Sequence, residues 1–231
     1  MQIAILAGGK ATRLYPLTKV IPKSMVKLYG KPFLTYQIEL LRKNNVNDII
    51  LCVGTFSKQI IDYFGNGKNF GVSIKYSVEK SDKLLGTAGA LKQAQEYLEK
   101  KFFVMYGDSY LPINFNDVFS KFTKSKKLGL MTIYENNNKF DKSNVAVHDN
   151  VITFYDKSGK NKSLRYIDYG LLVLNKQTLE LIPSNEFVNL DFLIDALIEK
   201  NELYSYEVKN RFYEIGSLSG IKDFKNYIKS K

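Results

Sequence analysis

Short apolar runs alternate with amphipathic stretches through the first half of the chain. The apolar runs predict strands over residues 2–7, 48–54, 72–78 and 102–106. Apolar positions at helical spacing between these runs predict helices over residues 33–43, 57–64 and 87–99. Ser57 stands where the second helix begins, as an N-cap. Because strand and helix alternate, we expect a mostly parallel sheet that is covered by helices on both faces.

The second half of the chain brings strands closer together. Apolar runs predict strands over residues 128–134, 145–147, 151–154, 166–174, 203–208 and 212–215. Helices are predicted over 190–200 and 220–228, and Asp149-Asn150 is typical of a hairpin turn. The expected fold class is α/β, a Rossmann-like three-layer α/β/α arrangement with a mixed, mostly parallel central sheet. No stretch rich in Gly, Pro or Ser divides the chain, so we expect one domain over residues 1–231.

A glycine pair follows the first predicted strand directly, in the run Leu6-Ala7-Gly8-Gly9. Backbone N–H groups of glycines can approach a phosphate closely because no Cβ intervenes. Arg13 and Lys23 follow soon afterwards and can neutralise the phosphate charge, Arg as a fork and Lys as a point charge. The pattern therefore predicts a nucleoside triphosphate site. It is not a Walker A loop, since no G-x-x-x-x-G-K-[ST] occurs.

Five motifs occur in order along almost the whole chain. They are Gly8-Gly9-x-Ala11-Thr12-Arg13-Leu14, Leu85-Gly86-Thr87-Ala88-Gly89, Gly107-Asp108, Tyr155-Asp156-Lys157 and Phe212-Tyr213-Glu214-Ile215-Gly216. Together they resemble the signature of the sugar-1-phosphate nucleotidyltransferases, or NDP-sugar pyrophosphorylases, and most nearly the heptose and mannose 1-phosphate guanylyltransferase branch. Ala11 departs from the family, which more often has glycine there, and its small side chain should change the loop little.

The resemblance implies a nucleotide-binding half over residues 1–110 and an acceptor-binding half over residues 111–231. The nucleotide-binding residues that it implies are Leu6, Ala7, Gly8, Gly9, Thr12, Arg13, Lys23, Glu79, Gly86, Thr87 and Ala88. Arg13 and Lys23 are also catalytic, because they would neutralise the phosphate chain during transfer. Glu79 is a candidate for binding the N1–H and amino group of guanine, since a carboxylate only accepts hydrogen bonds. The alternative for Glu79 is a solvated surface residue.

Asp108 follows the apolar run 102–106 through Gly107. A carboxylate at the end of a buried strand is costly to leave unpaired, so we expect a cation beside it. Mg²⁺ prefers carboxylate oxygens, water and substrate phosphates, and it often needs only one or two protein carboxylates. By resemblance Asp108 is catalytic and, with Glu214, a ligand of Mg²⁺; many relatives have Asp at the position of Glu214.

The resemblance also implies an acceptor site. Lys157 matches the lysine that binds the phosphate of the sugar 1-phosphate, and Asp156 lies near sugar hydroxyls. In Asp168-Tyr169-Gly170, the glycine Gly170 admits the sugar ring and Tyr169 is expected to stack on it. Asn144 is assigned to the same pocket.

Composition bounds the alternatives. The net charge of +11 suits a nucleic-acid-binding protein, but the 34 Lys and Arg residues are spread along the chain, which favours a solvated surface around a polyanionic small substrate. Cys52 is the single cysteine, expected to be a buried thiol, and His148 is the single histidine. Neither a disulfide framework, a zinc site nor a Ser-His-Asp triad can therefore be assembled.

Localisation follows from two further absences in the sequence. No apolar run approaches the roughly 18 residues of a membrane helix. The first predicted strand begins at Gln2, too early for a signal peptide. We therefore expect a cytoplasmic protein without a membrane partner.

The predicted reaction is Mg²⁺-dependent transfer of NMP from an NTP to a sugar 1-phosphate, giving an NDP-sugar and pyrophosphate, with GTP slightly favoured over CTP and UTP. A role in surface-polysaccharide synthesis is expected, and a homodimer is left open. One alternative is a non-sugar phosphate acceptor such as phosphocholine. Another is a glycosyltransferase, although its Asp-x-Asp metal motif is absent from Gly107-Asp108-Ser109-Tyr110.

Overall fold

The computed structural model describes residues 1–9, 14–15, 17–158 and 160–231. Its strands are β1 (Gln2–Leu6), β2 (Lys27–Leu28), β3 (Lys31–Pro32), β4 (Asp48–Val53), β5 (Ser73–Val78), β6 (Lys101–Tyr106), β7 (Ser109–Tyr110), β8 (Gly129–Glu135), β9 (Val145–His148), β10 (Val151–Tyr155), β11 (Tyr166–Asn175), β12 (Leu203–Val208) and β13 (Tyr213–Glu214). Its α-helices are α1 (Phe33–Lys43), α2 (Ser57–Phe64), α3 (Gly86–Gln93), α4 (Phe115–Ser125), α5 (Leu190–Glu199) and α6 (Leu218–Lys229). Short 3-10 helices cover Leu17–Lys19, Lys23–Met25, Lys68–Phe70, Gln95–Tyr97 and Lys176–Leu181.

One nine-stranded sheet runs through both halves of the chain, in the order β5-β4-β1-β6-β11-β8-β12-β10-β9. Strands β5, β4, β1 and β6 are parallel, and Ile3 of β1 lies between Ile49 of β4 and Phe103 of β6. Strand β11 then joins antiparallel to both β6 and β8. Beyond it, β12 is parallel to β8 and antiparallel to β10. The parallel arrangement therefore brings the ends of β1, β4 and β6 to one edge of the sheet.

Helices cover both faces of this sheet, because successive strand residues point to opposite sides. On one face, Leu34 of α1, Ile60 of α2 and Phe115 of α4 pack in a core with Ile3 and Ile5 of β1. On the other face, α3 and α5 pack over Ala4 and Leu6 of the same strand. The three-layer α/β/α class expected from the sequence is confirmed.

A smaller core joins the end of the chain to the start of α1. Phe224 of α6 makes edge contacts with Phe33 and Tyr36 of α1, with ring centroids 5.1 and 5.5 Å apart. Two short sheets, β2–β3 and β13–β7, border this core. Its consequence for the site is that Glu214, on β13, is carried to the strand β7 that follows Asp108.

Besides short strands and 3-10 helices that were not predicted, the structure differs from the expected elements in three larger respects. Helix α4 was not anticipated, although Asn114 caps its N-terminus by accepting the Asn116 and Asp117 N–H groups. Ser57 is the first residue of α2 and makes no capping bond. The helix expected over 87–99 ends at Gln93 and gives way to the 3-10 helix Gln95–Tyr97. In the described part of the chain, no helix combines the length and apolarity needed to cross a membrane.

Candidate active site

A cavity of about 580 Å³ opens where β1, β4 and β6 end. It is lined by Leu6, Ala7, Gly8, Gly9, Lys23, Ser24, Cys52, Ser81, Asp82, Leu84, Gly86, Thr87, Ala90, Tyr106, Gly107, Asp108, Phe187 and Asn189. Ligands of open α/β sheets bind at this edge, because loops from neighbouring strands converge there. Most of the expected nucleotide-binding residues and Asp108 therefore surround one space.

Gly8 and Gly9 differ in what surrounds them. A Cβ on Gly8 would lie only 2.5 Å from Glu79 Oε2 and 3.3 Å from the Gly54 backbone nitrogen. A Cβ on Gly9 would meet nothing within 4 Å. A side chain at position 8 would thus displace the Glu79 carboxylate and crowd Gly54, while the backbone of Gly9 is open to a ligand.

Glu79 is buried just beyond β5, with 5% of its surface exposed. Its Oε1 accepts a hydrogen bond from the Leu85 backbone N–H at 2.7 Å, and its Oε2 lies beside Gly8. Burial raises the pKa of the carboxyl, and the Leu85 hydrogen bond opposes that rise. Glu79 therefore links the loop after β1 to the loop that leads into α3, and it is not a solvated surface residue.

The Gly-Thr-Ala-Gly turn at the start of α3 packs on the segment before α5. Gly86 has a φ of +74°, and a Cβ there would lie 2.6 Å from the Val188 carbonyl oxygen, so glycine is required. The hydroxyl of Thr87 accepts a hydrogen bond from the Leu190 N–H at 2.7 Å. Gly86 and Thr87 line the cavity, whereas Ala88 is fully buried behind them.

Lys23 and Asp108 form an ion pair on one side of the cavity. Lys23 begins a 3-10 helix after Pro22, Asp108 follows β6, and their Nζ and Oδ2 atoms are 2.7 Å apart. The side chains are 22% and 27% exposed, so the pair is screened less than a surface pair. The buried side chain of Gln37 supports this turn by donating to the Tyr106 and Ser109 carbonyls at 3.0 and 2.6 Å.

The β13–β7 pairing places the backbones of the two expected metal ligands, Asp108 and Glu214, next to each other. Glu214 lies opposite Ser109, and the Ile215 N–H donates to the Asp108 carbonyl at 2.9 Å. Among the residues that the structure describes, no set of three or more His, Cys, Asp or Glu is arranged to hold a metal. Asp108, which lines the cavity, and Glu214, on the adjacent strand, are a donor set that fits Mg²⁺, because this ion commonly takes its other ligands from substrate phosphates and water.

A second polar group lies on the neighbouring strand β11. The sheet register shifts between Asp168 and Leu172, and Gly170 within this bulge has a φ of +98°. The Asp168 carboxylate accepts the Gly170 N–H at 2.8 Å, and Asn144 Oδ1 accepts the Asp168 N–H at 2.9 Å. Burial raises the pKa of Asp168 to about 6, against the Gly170 hydrogen bond and the charge of Lys157.

Tyr169 does not fit the expected stacking role. Its side chain is 1% exposed and packs edge-on against Phe212 in the core under α1 and α4, with ring centroids 5.9 Å apart. The reason is the alternation of the strand, which points Tyr169 to the face opposite Asp168. Asp168, to which the sequence motif assigned no role, is the residue of this turn whose carboxylate is influenced by the charge of Lys157.

Asp156 and Lys157 directly follow β10, which ends at Tyr155. Asp156 accepts hydrogen bonds from the Ser158 N–H and hydroxyl and from the Lys160 N–H. These bonds, led by the Ser158 hydroxyl, lower the pKa of Asp156. Asp156 thus orders its own turn, and Lys157 remains exposed while its charge reaches Asp168.

Thr12 and Arg13 lie outside the described residues, as does Ala11. Among the cavity residues that the sequence analysis missed, Phe187 and Asn189 come from the loop before α5. No local motif marks that loop. The two-residue period of β11 does indicate that Asp168 and Tyr169 point to opposite faces of the sheet, so that only one of them can face the site.

Comparison with known proteins places this geometry in a family. The sequence profile of the nucleotidyl transferase family matches residues 3–231. D-glycero-alpha-D-manno-heptose 1-phosphate guanylyltransferase of Campylobacter jejuni is 30% identical over 216 residues, covering 94% of this chain and 95% of that protein. UTP–glucose-1-phosphate uridylyltransferase of Synechocystis is 30% identical over 213 residues; the match covers 82% of this chain but only 53% of that relative.

Among solved structures, HddC from Yersinia pseudotuberculosis complexed with GMP-PN superposes with a TM-score of 0.79 at 25% identity, covering 98% of this chain and 99% of that one. The match thus extends over both halves of the sheet. The chain belongs to the nucleotidyl transferase family, as one of the sugar-1-phosphate nucleotidyltransferases.

Proposed function

We propose that this chain is a Mg²⁺-dependent guanylyltransferase that transfers GMP from GTP to a heptose or mannose 1-phosphate. The observation that carries the proposal is the Lys23–Asp108 pair at 2.7 Å, on the wall of a cavity formed by strand ends and glycine loops. A polyphosphate needs cations and open backbone N–H groups, and a metal needs a carboxylate; this wall supplies all three.

The reaction is an in-line displacement at the α-phosphorus of the nucleotide. An oxygen of the sugar phosphate forms the new bond to that phosphorus, the bond to the bridging oxygen breaks, and pyrophosphate leaves. The attacking oxygen is already ionised near neutral pH, so no strong general base is required. Catalysis then consists of alignment and charge neutralisation, in which Lys23 and Lys157 would take part, together with Arg13 as the family resemblance implies.

Asp108 and Glu214 would hold the metal. Bound Mg²⁺ would orient the phosphates and offset their developing negative charge. The Gln37 side chain stabilises the turn at Asp108, because its amide donates to the Tyr106 and Ser109 carbonyls on either side of it. The role of the protein here is to present Asp108 at a fixed place beside the phosphate chain.

The acceptor half is proposed to hold the sugar between β10 and β11. Lys157 would bind the acceptor phosphate, and Asp168 would accept hydrogen bonds from sugar hydroxyls. Asn144 fixes the backbone of Asp168, and Gly170 fixes its carboxylate, so this group is held ready. Asp156 contributes by ordering the turn that carries Lys157.

The preference for GTP rests on two observations. The relative from Campylobacter jejuni is a guanylyltransferase, and the Yersinia structure holds GMP-PN. The buried Glu79 carboxylate borders the loop expected to meet the base, where it suits the donors of guanine. The product would be a GDP-sugar formed in the cytoplasm for surface-polysaccharide synthesis.

A phosphate ester of a cationic alcohol, such as phosphocholine, is the second candidate acceptor. The observation in its favour is the group of carboxylates Asp168, Asp191 and Asp195, all close enough to help raise the pKa of Tyr155, after the larger effect of burial. Carboxylates beside an aromatic ring suit an ammonium ligand. Comparing pyrophosphate release with each acceptor decides between a sugar phosphate and phosphocholine.

The experiment is a panel of GTP, CTP, UTP and ATP against mannose 1-phosphate, a heptose 1-phosphate and phosphocholine, followed by pyrophosphate release. We expect GTP with one of the sugar phosphates to give the fastest release. Release only with phosphocholine would reject the sugar acceptor, and a preference for UTP or CTP would reject the guanylyl assignment.

A further inference from the structure

Lys23 forms an ion pair with Asp108, the carboxylate that is proposed to bind the metal ion. Its Nζ lies 2.7 Å from Asp108 Oδ2, and about three quarters of each side chain is removed from solvent. The other oxygen, Oδ1, accepts a long hydrogen bond from the Ser109 hydroxyl at 3.5 Å. An ammonium and a dication cannot share Asp108 Oδ2, because the two cations repel one another strongly in a partly buried site.

Few other protein groups could compensate for this competition. Within the described ranges, no cluster of three potential metal ligands exists, so the metal depends on Asp108 and Glu214. Because Lys23 already neutralises Asp108, that carboxylate offers a dication no uncompensated negative charge. A free divalent cation should therefore bind the resting protein weakly.

Lys23 also has an alternative anionic partner when substrate arrives. It lines the same cavity as Gly8, Gly9 and Thr87, where the nucleotide is proposed to bind. A triphosphate offers more negative charge than one carboxylate and lies within the reach of a flexible lysine side chain. Moving Lys23 to the phosphates would free Asp108.

We propose that Lys23 is a counterion that keeps Asp108 unavailable to a divalent cation until the nucleotide phosphates draw the lysine away. Metal then binds with the nucleotide or after it, and never ahead of it. This inference rests on the proposed metal ligands. Its advantage to the enzyme is that Asp108 stays paired and takes up a metal only once a phosphate chain has drawn Lys23 away.

Binding of Mn²⁺ alone tests the proposal, with free Mn²⁺ followed by electron paramagnetic resonance in the absence of nucleotide. Lys23→Met should bind Mn²⁺ about tenfold more tightly than the wild type, because a competing charge has been removed. Lys23→Arg keeps the charge and should stay weak. Lys27→Met, at an exposed lysine nearby, is the matched control and should match the wild type.

The double variant Lys23→Met/Asp108→Asn separates the two claims. If it loses the tight Mn²⁺ site of Lys23→Met, Asp108 is the ligand that Lys23 protects. Equal affinity of wild type and Lys23→Met, with loss in Asp108→Asn, would overturn the counterion proposal but keep the metal ligand. Tight binding that survives Asp108→Asn would reject the metal assignment of the proposed function itself.

A second experiment measures the affinity for GTP, which should rise when Lys23 no longer has to leave Asp108. In Asp108→Asn the lysine is no longer held by a charged partner, so GTP binding in EDTA should tighten about threefold or more. The protein is the full chain, and its folding is checked by circular dichroism. Unchanged or weaker GTP binding in Asp108→Asn would contradict the proposal.

Discussion

Glu79 and Leu85 are joined by a buried hydrogen bond of 2.7 Å from the Leu85 backbone N–H to the Glu79 carboxylate. This bond closes the loop between β5 and α3, and the same carboxylate rests against Gly8. Two loops of the cavity, one expected at the phosphates and one at the base, therefore share one acidic side chain. Substitutions on either side of this contact should have different effects.

Gly8→Ala should destabilise the protein, whereas Gly9→Ala should not. The new Cβ at position 8 would lie 2.5 Å from Glu79 Oε2, while the space around Gly9 is open. We expect a loss of about 1–3 kcal/mol in the free energy of unfolding for Gly8→Ala and less than about 0.5 kcal/mol for Gly9→Ala. Urea unfolding measures both, and equal values would show that Gly8 is not packed against Glu79.

Glu79→Gln should reduce the preference for GTP over UTP. The amide keeps one oxygen for the Leu85 N–H but loses the charge that suits the donors of guanine, an effect worth about 1–3 kcal/mol. The measurement is kcat/KM for each nucleotide at saturating acceptor. A preference that stays unchanged in the variant would restrict Glu79 to holding the loop.

Lys157→Ala should impair the use of the sugar phosphate without changing the affinity for GTP. The charge of Lys157 reaches Asp168, and Lys157 is not one of the residues that line the cavity together with Gly8 and Gly9. We expect a rise in KM for the sugar phosphate, or a fall in kcat, with unchanged GTP affinity. Lys160→Ala, at another exposed lysine in the same turn, is the control. Weakened GTP binding in Lys157→Ala would move this residue to the nucleotide half.

Asp168 should make stability depend on pH in one direction. Because burial raises its folded-state pKa from 3.8 to about 6, the folded protein holds this proton more tightly than the unfolded chain. Its contribution therefore favours folding at low pH and is lost as the pH rises through that interval.

Asp168→Asn removes this dependence. Between about pH 4 and pH 7 the variant should gain about 1–3 kcal/mol of stability relative to the wild type. Urea unfolding of both proteins at several pH values gives the difference, in which other titrating groups cancel. A difference that stays constant or falls with pH would contradict the burial of a charged Asp168.

Much of the fold followed from local patterns. The helix over 33–43 and the strand over 203–208 have the bounds of α1 and β12, because apolar spacing and turn residues agree there. The Asp149-Asn150 turn has the positive φ angles, 47° and 61°, of a two-residue hairpin. Helix α4 was missed although Phe115, Val118 and Phe122 form a buried stripe.

The site was predictable where a motif carries the chemistry, and less so where tertiary packing selects the side chain. Gly8, Lys23 and Asp108 surround one cavity as their motifs indicate. The motif at residues 168–170 predicts a stacking role for Tyr169, which is buried, because the sequence does not show which face of β11 meets the site. Phe187 reaches the cavity from a distant loop, which only the folded chain brings close.

Pyrophosphate release with GTP and a heptose or mannose 1-phosphate tests the central claim most directly. The account predicts release that requires both substrates and Mg²⁺, and that falls about a hundredfold or more in Asp108→Asn while the variant stays folded. Nucleotide consumed to free GDP, or near-normal pyrophosphate release by Asp108→Asn, would contradict it.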